Sequence, residues 1–188
     1  MDRIPIVVTT VKTRRLAAAD WKAFRDLRLS ALKADPLAFG STLQREEAYP
    51  KDRWMSWAES GALGGESATF VAEERPGRLV GMAGVFSDKG EYHVWGMWVS
   101  PEYRNRGLGR ELLDQLLSWA ESTNPGREVC LDVNPVQASA VRLYEARGFR
   151  STGKTSPLGH HEPAVVQEMR RAGPNLGASH GRQSKGPG

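Results

Sequence analysis

Residues Val94–Ala120 read VWGMWVSPEYRNRGLGRELLDQLLSWA, and the fold turns on this stretch. Val94–Val99 is a short apolar and aromatic run of the composition that a buried strand favours. Ser100-Pro101 ends it, because proline has no N–H for a ladder and restricts the residue before it. Leu108, Leu112, Leu116 and Ala120 then recur every fourth residue, with Leu113 and Leu117 widening the stripe. Arg110, Glu111, Asp114, Gln115 and Ser118 fall on the other side, so the spacing predicts an amphipathic helix.

The join, Arg104-Asn105-Arg106-Gly107-Leu108-Gly109, places two arginines and two glycines where that helix begins. A first helical turn leaves its N–H groups without intrahelical partners and carries partial positive charge. Glycine there lets a phosphate approach the backbone without meeting a Cβ. Two common nucleotide motifs do not fit. A P-loop needs Gly-Lys-Ser/Thr, and a dinucleotide turn needs a third glycine where Leu112 stands and follows its strand directly.

What fits is Arg-x-x-Gly-x-Gly after a strand ending Val-Ser-Pro. This resembles the GNAT superfamily of acyl-CoA-dependent N-acyltransferases, whose signature is Gln/Arg-x-x-Gly-x-Gly/Ala. The resemblance implies that Arg104, Asn105, Arg106, Gly107, Leu108, Gly109 and Arg110 hold the pyrophosphate of acetyl-CoA. It also implies that the backbone of Met97, Trp98 and Val99 pairs with the pantetheine arm like an added strand. Gly96 interrupts that strand, where glycine marks a bulge or a close backbone approach. In the family a bulge opens the cleft here; relief of crowding between Trp95 and Trp98 is an equal explanation.

A second phrase extends the likeness. Asn124-Pro125-Gly126 ends the helix, Glu128–Val133 reads as a strand, and Asn134-Pro135-Val136-Gln137 starts another helix with asparagine as N-cap. That helix runs to about Arg147, and Gly148 suits a left-handed cap. Val133-x-x-x-Gln137-x-x-Ala140-Val141-x-Leu143-Tyr144-x-x-x-Gly148-Phe149 resembles the second GNAT motif. The family has Asn where Gln137 stands and uses it on the pantetheine arm. Three readings follow: Gln137 keeps that contact, Asn134 takes it over, or Gln137 is only the capping-box partner of Asn134. The matching tyrosine of the family lies near the CoA sulfur as general acid, which makes Tyr144 the first catalytic candidate; core packing is its other role.

Around these motifs the chain reads as one α/β domain, residues 1–172, with a mixed and mainly antiparallel sheet flanked by helices. Ile6–Lys12 reads as a first strand, and Asp20 as the N-cap of a helix to about Ala34 with Trp21, Phe24, Leu27 and Ala31 on one face. Asp35-Pro36 stops that helix, and Arg28-Leu29-x-Ala31-Leu32 through Ala38-Phe39 resembles the opening of many GNAT chains. Gly40–Tyr49 reads as a polar loop, Lys51–Glu59 as a helix carrying Trp54 and Trp57, and Gly61–Glu66 as a break. The family makes that helix part of the acceptor wall, and core packing of its tryptophans is the alternative. Ala68–Glu74, Arg78–Phe86 and Tyr92–Val99 read as an antiparallel run, and Arg150–Ser156 with Val165–Arg171 as the last pair. Gly173–Gly188 lacks an apolar pattern and reads as a disordered tail.

Composition narrows the function classes. The net charge is +4, of which Arg182 and Lys185 in the tail supply two, leaving an ordinary balance that argues against nucleic acid. No apolar run approaches the roughly 20 residues that span a bilayer, and MDRIPIVV is no signal peptide, so a cytoplasmic protein is expected. One cysteine, Cys130, excludes an internal disulfide and reads as a buried structural thiol. His160 and His161, adjacent in Pro157–Pro163, read as a solvated loop near the acceptor, and no metal site is expected.

The resemblance implies N-acetyl transfer from acetyl-CoA to a small-molecule amine, with a protein N-terminus or lysine as the second acceptor. A silent acyl-CoA-binding module is the alternative from another class, and a homodimer is left open. An alkyl ammonium must lose its proton before it attacks, so a base serves at neutral pH. Glu91, His93, Glu46 and Glu47 are the candidates, and a backbone N–H near Val99 is expected to stabilise the oxyanion.

Overall fold

The computed structural model describes residues 10–173. Among the described residues seven strands form one sheet, in the order β1-β2-β3-β4-β5-β7-β6. They are β1 (Lys12–Arg15), β2 (Ser67–Arg75), β3 (Arg78–Asp88), β4 (Glu91–Val99), β5 (Val129–Val133), β6 (Arg150–Pro157) and β7 (Val165–Arg171). Neighbours run antiparallel except β4 and β5, whose parallel pairing needs a crossover. The crossover is α4 (Leu108–Thr123), the helix of the leucine stripe. The other helices are α1 (Trp21–Ala34), α2 (Leu43–Glu47), α3 (Lys51–Leu63) and α5 (Ala138–Glu145).

Two apolar layers hold the sheet. On one face Leu112, Leu113 and Leu116 of α4 are fully buried against Phe70, Val80, Tyr92 and Val129, with Tyr144 and Phe149 in the same cluster. On the other, Phe24, Leu27 and Ala31 of α1 and Trp54 of α3 pack on Val71, Met82 and Trp98. Each buried leucine is worth about 1.5–3 kcal/mol by area removed from water.

Strand β4 shows how the sequence bends this scheme. Tyr92 and Val94 face α4, and Trp95 turns to the α1 layer; beyond Gly96, Met97 and Val99 face α4 while Trp98 faces α1. Strict alternation would not put Trp95 and Trp98, three apart, on one side. A bulge does it: Gly84 pairs with Trp95 but Met82 with Trp98, so Gly96 and Met97 stand opposite Ala83 alone. Gly96 takes φ +65°, a left-handed conformation that suits glycine. The same strand pair needs Gly84, where a Cβ would lie 2.1 Å from the Trp95 ring. Gly96 therefore builds the bulge, and the crowding around Trp95 is relieved by Gly84.

Several expectations are corrected. The described first strand starts at Lys12, where the expected one ends, and residues 1–9 lie outside the described residues, as does the tail from 174 onward. Asp20 stands at the N-cap of α1 but makes no capping bond, because its carboxylate binds Arg14 and accepts from the Ala17 N–H. The expected polar loop contains α2, capped by the Thr42 hydroxyl. Helix α3 runs through Gly61, where a Cβ would meet Thr69 Oγ1 at 2.5 Å, and ends at left-handed Gly64. Asn134 and Gln137 form no capping box: α5 starts only at Ala138, and Asn134 Oδ1 accepts from the Val136 N–H in a turn before it.

Candidate active site

Strands β4 and β5 pair only at Tyr92 with Val129 and His93 with Cys130. Beyond those rungs the bulged half of β4 leaves β5, and a space lies on each side of the sheet. On the α4 side is a groove of about 540 Å³, lined by Met97, Trp98, Val99, the loop before α4 and the start of α5. On the α1 side is a chamber of about 350 Å³, lined by residues including Arg28, Phe39, His93, Trp95, Gly96 and Asp132. Ala38 lines both.

The groove is built for an anion at one end. The first intrahelical bond of α4 runs from Glu111 N–H to the Gly107 carbonyl, and no side chain caps the helix. The N–H groups of Leu108, Gly109 and Arg110 thus begin the helix without intrahelical partners. Asn105 and Gly107 both take positive φ, 62° and 83°, which shapes the loop. A Cβ on Gly109 would meet protein only at ordinary contact, 3.6 Å from Leu143, so packing does not require that glycine. A ligand lying on the first turn would.

The residues expected there divide. Arg104, Asn105, Gly107, Leu108, Gly109 and Arg110 line the groove with Met97, Trp98, Val99 and Gln137. Arg106 is not among them: it donates to the Glu102 carbonyl and lies over the Tyr103 ring. Arg104 is held at the mouth, with Nε on the Val99 carbonyl and Nη2 2.5 Å from Asp35 Oδ2. Asp35, which also accepts from Trp98 Nε1, has its carboxyl held below the usual range by these hydrogen bonds against the opposing effect of burial. Asn134 is buried and spent on the Leu37 carbonyl and its own turn, leaving Gln137 as the amide at the α5 end of the groove. Tyr144 lies in the core edge-on to Phe149, one residue past groove-lining Leu143, and burial raises its hydroxyl above the ordinary range.

Of the base candidates, only His93 lines the chamber. Its Nδ1 and Nε2 are 3.1 and 3.7 Å from Cys130 Sγ, which also meets the Tyr92 carbonyl at 3.4 Å and Glu91 Oε2 at 3.9 Å. Burial, then the charge of Glu91, push the Cys130 thiol up to about 11, so it is no nucleophile. Glu91 is hydrogen-bonded to Arg170, which lowers its pKa and its basicity. Glu46 is locked in a buried ion pair with Arg28, and Glu47 is exposed on α2. Glu91, His93 and Cys130 do converge, with ligand-type atoms within 4.8 Å, although Cys130 stands 37 residues from His93 in sequence. The guanidinium on Glu91 and the protonated thiol make hydrogen bonding, rather than metal ligation, the chemistry of this cluster.

Two chamber residues escaped the sequence reading. Arg28 enters the sequence reading only as part of a helix phrase, and Asp132 only within the Glu128–Val133 strand. In β5, Val129, Leu131 and Val133 face α4, so period two turns Cys130 and Asp132 to the chamber side. Burial, then the neighbouring charge of Glu168, raise the Asp132 carboxyl. The Pro157–Pro163 loop packs by Gly159 on Gly40 and sends Leu158 into the chamber wall, while His160 meets Arg45 and His161 meets the Ser41 carbonyl. Trp54 is core, and Trp57 stacks on Trp95 with ring centres 5.1 Å apart.

A model of the acetyltransferase (GNAT) family matches residues 22–149, from α1 to the turn after α5. The chain belongs to the GNAT family. It is an acetyl-CoA-dependent acyltransferase, and acetyl-CoA is its cosubstrate. N-alpha-acetyltransferase RimI of Mycobacterium tuberculosis is 34% identical over 124 residues, covering 64% of this chain and 76% of that protein. Streptothricin acetyltransferase of Streptomyces lavendulae is 33% identical over 121 residues, covering 60% of each. Among solved structures, yncA of Salmonella typhimurium, a putative acetyltransferase with its cofactor acetyl-CoA, superposes with a TM-score of 0.73. It is 20% identical and covers 92% of this chain and 99% of that one, a likeness of fold. No helix among the described residues is long and apolar enough to cross a membrane.

Proposed function

We propose that this GNAT chain moves the acetyl group of acetyl-CoA directly to the primary amine of a small molecule in a ternary complex. The observation that carries this reading is the loss of β4–β5 pairing beyond His93 and Cys130, with an anion-binding groove on one face and a chamber on the other that share Ala38 in their linings. The pyrophosphate lies on the first turn of α4 with Arg104 and Arg110 beside it, and the pantetheine arm runs along Met97–Val99 past Gln137. The acetyl end then reaches the bulge at Gly96, where unpaired backbone is available to the carbonyl oxygen.

In the chamber the amine nitrogen attacks the acetyl carbonyl carbon and the C–S bond breaks. His93 accepts the proton that the amine gives up. The Cys130 thiol, protonated and donating to the Tyr92 carbonyl, lies against the imidazole 3.1 Å from Nδ1 and 3.7 Å from Nε2 and helps to fix the ring. Tyr144, a phenol that is protonated near neutrality, supplies a proton to the departing thiolate. Asp132 holds the acceptor's ammonium before it is deprotonated.

A protein N-terminus is the second acceptor, favoured by the identity with N-alpha-acetyltransferase RimI. Release of CoA thiol from acetyl-CoA in the presence of amines, aminoglycosides and peptides tests the reading. Amine-dependent release supports it, and release with none of them contradicts it.

A further inference from the structure

One polar atom of the chamber is committed to nothing in the fold. Arg28 projects from α1 with its side chain 6% exposed. Its Nε and Nη2 donate to the two carboxylate oxygens of Glu46 at 2.9 and 2.7 Å, the forked geometry of a strong pair. The Phe39 ring lies 4.5 Å below the guanidinium and the Trp57 ring 5.9 Å from it, which fixes the plane. Nη1 is left over, buried and without a hydrogen-bond partner among the described residues. It faces the bulge: a Cβ placed on Gly96 would come within 3.9 Å of Nη1 and meet nothing else. Arg28 and Gly96 both line the chamber.

A buried N–H without an acceptor is costly, so a donor held this firmly beside a ligand space implies that the ligand brings the acceptor. Glu46 already neutralises the guanidinium, so Nη1 suits a neutral carbonyl oxygen as well as a carboxylate. The chamber's opposite requirement, for an ammonium, is met by Asp132 and His93. At about 350 Å³ it admits a group of amino-acid size.

We infer that Arg28 Nη1 reads an oxygen on the carbon next to the amine-bearing one, making the acceptor an α-amino acid, its amide or the first residue of a peptide, rather than a plain alkyl amine. This rests on the chamber being the acceptor site. Arg28 is then a specificity-determining residue that binds the acceptor and takes no part in proton transfer. No residue of the catalytic proposal changes role.

The test compares initial rates of thiol release for L-alaninamide, L-alanine and 3-methylbutan-2-amine, an amine shaped like alaninamide but lacking its oxygen. Arg28→Lys keeps a positive charge beside Glu46 and withdraws the second arm of the fork. Its kcat/KM should fall about 10- to 100-fold further for alaninamide than for 3-methylbutan-2-amine. Taking the ratio of variant to wild type cancels the different basicities of the two amines. Should Arg28→Lys fail to fold, the double variant Arg28→Gln with Glu46→Gln removes both charges together and is read in the same way. A larger loss on alanine than on alaninamide would identify the free carboxylate as the natural partner, and the reverse a peptide end. Equal losses on all three amines, or a wild type that prefers the alkyl amine, would overturn the inference and leave amine acetylation standing. Absence of thiol release with every primary amine would instead overturn the acceptor reading itself.

Discussion

His93 and Cys130 form the last paired rung between β4 and β5, and across it Nδ1 lies 3.1 Å from Sγ. The sheet is closed up to the residue proposed as base and open beyond it. The imidazole is also stacked on Phe86, with ring centres 5.3 Å apart and planes 17° from parallel. A base stacked on one face by Phe86 and flanked by Cys130 and Glu91 has little freedom to turn.

His93→Gln removes that base. With an accepted amine, kcat should fall about 100- to 10,000-fold if deprotonation limits the rate, and the rise of rate with pH should flatten. Acetyl-CoA affinity should stay near wild type. A pH profile of His93→Gln that matches wild type in shape and height would remove His93 from the mechanism.

Tyr144→Phe keeps the ring against Phe149 and deletes the proton source. Turnover should drop by about 100-fold, toward the lower end for general acids because a thiolate also leaves unprotonated. Melting temperature should hardly move. Normal turnover under chemistry-limited conditions would make Tyr144 a packing residue only.

Gly107 and Gly109 separate backbone need from ligand need. Gly107→Ala forces a side chain into φ 83° and should cost about 1–2 kcal/mol of stability. Gly109→Ala meets only ordinary contacts, so stability should hold while the thermal shift given by acetyl-CoA shrinks, as calorimetry or thermal melts would show.

Stability should depend on pH through Glu168. Hydrogen bonds from Arg170 hold its carboxyl at about 2, against 4.5 for the free group. A depressed carboxyl stabilises the fold above its unfolded pKa and loses that contribution as pH falls through the folded one. Urea midpoints should therefore be insensitive to this group above about pH 5 and decline between about pH 5 and 2. Glu168→Gln should have a shallower decline, and an identical one would assign the acid sensitivity elsewhere.

The strand, glycine turn and helix of Val94–Ala120 were legible because each carries its own local signal: an apolar run, a proline stop, a leucine stripe. The groove followed, since its ligands are mostly consecutive residues. The chamber did not. Arg28, Glu46, His93, Cys130 and Asp132 come from α1, α2, β4 and β5, and only the sheet order brings them together. Glu46 illustrates the limit, because a carboxylate in a polar stretch reads as exposed until its partner 18 residues away is seen to bury it. Arg106 shows the converse, a motif neighbour whose side chain turns to Glu102 and Tyr103.

The most direct test of transfer through the open half of β4 is a two-substrate initial-rate experiment. Acetyl-CoA and an accepted primary amine are varied together, and thiol release is measured for the wild type and for Gly109→Glu, which puts bulk and negative charge on the first turn of α4. Direct transfer predicts intersecting double-reciprocal lines for the wild type, with the acetyl-CoA KM raised steeply in a folded Gly109→Glu. Parallel lines, or an unchanged acetyl-CoA KM in that variant, would contradict it.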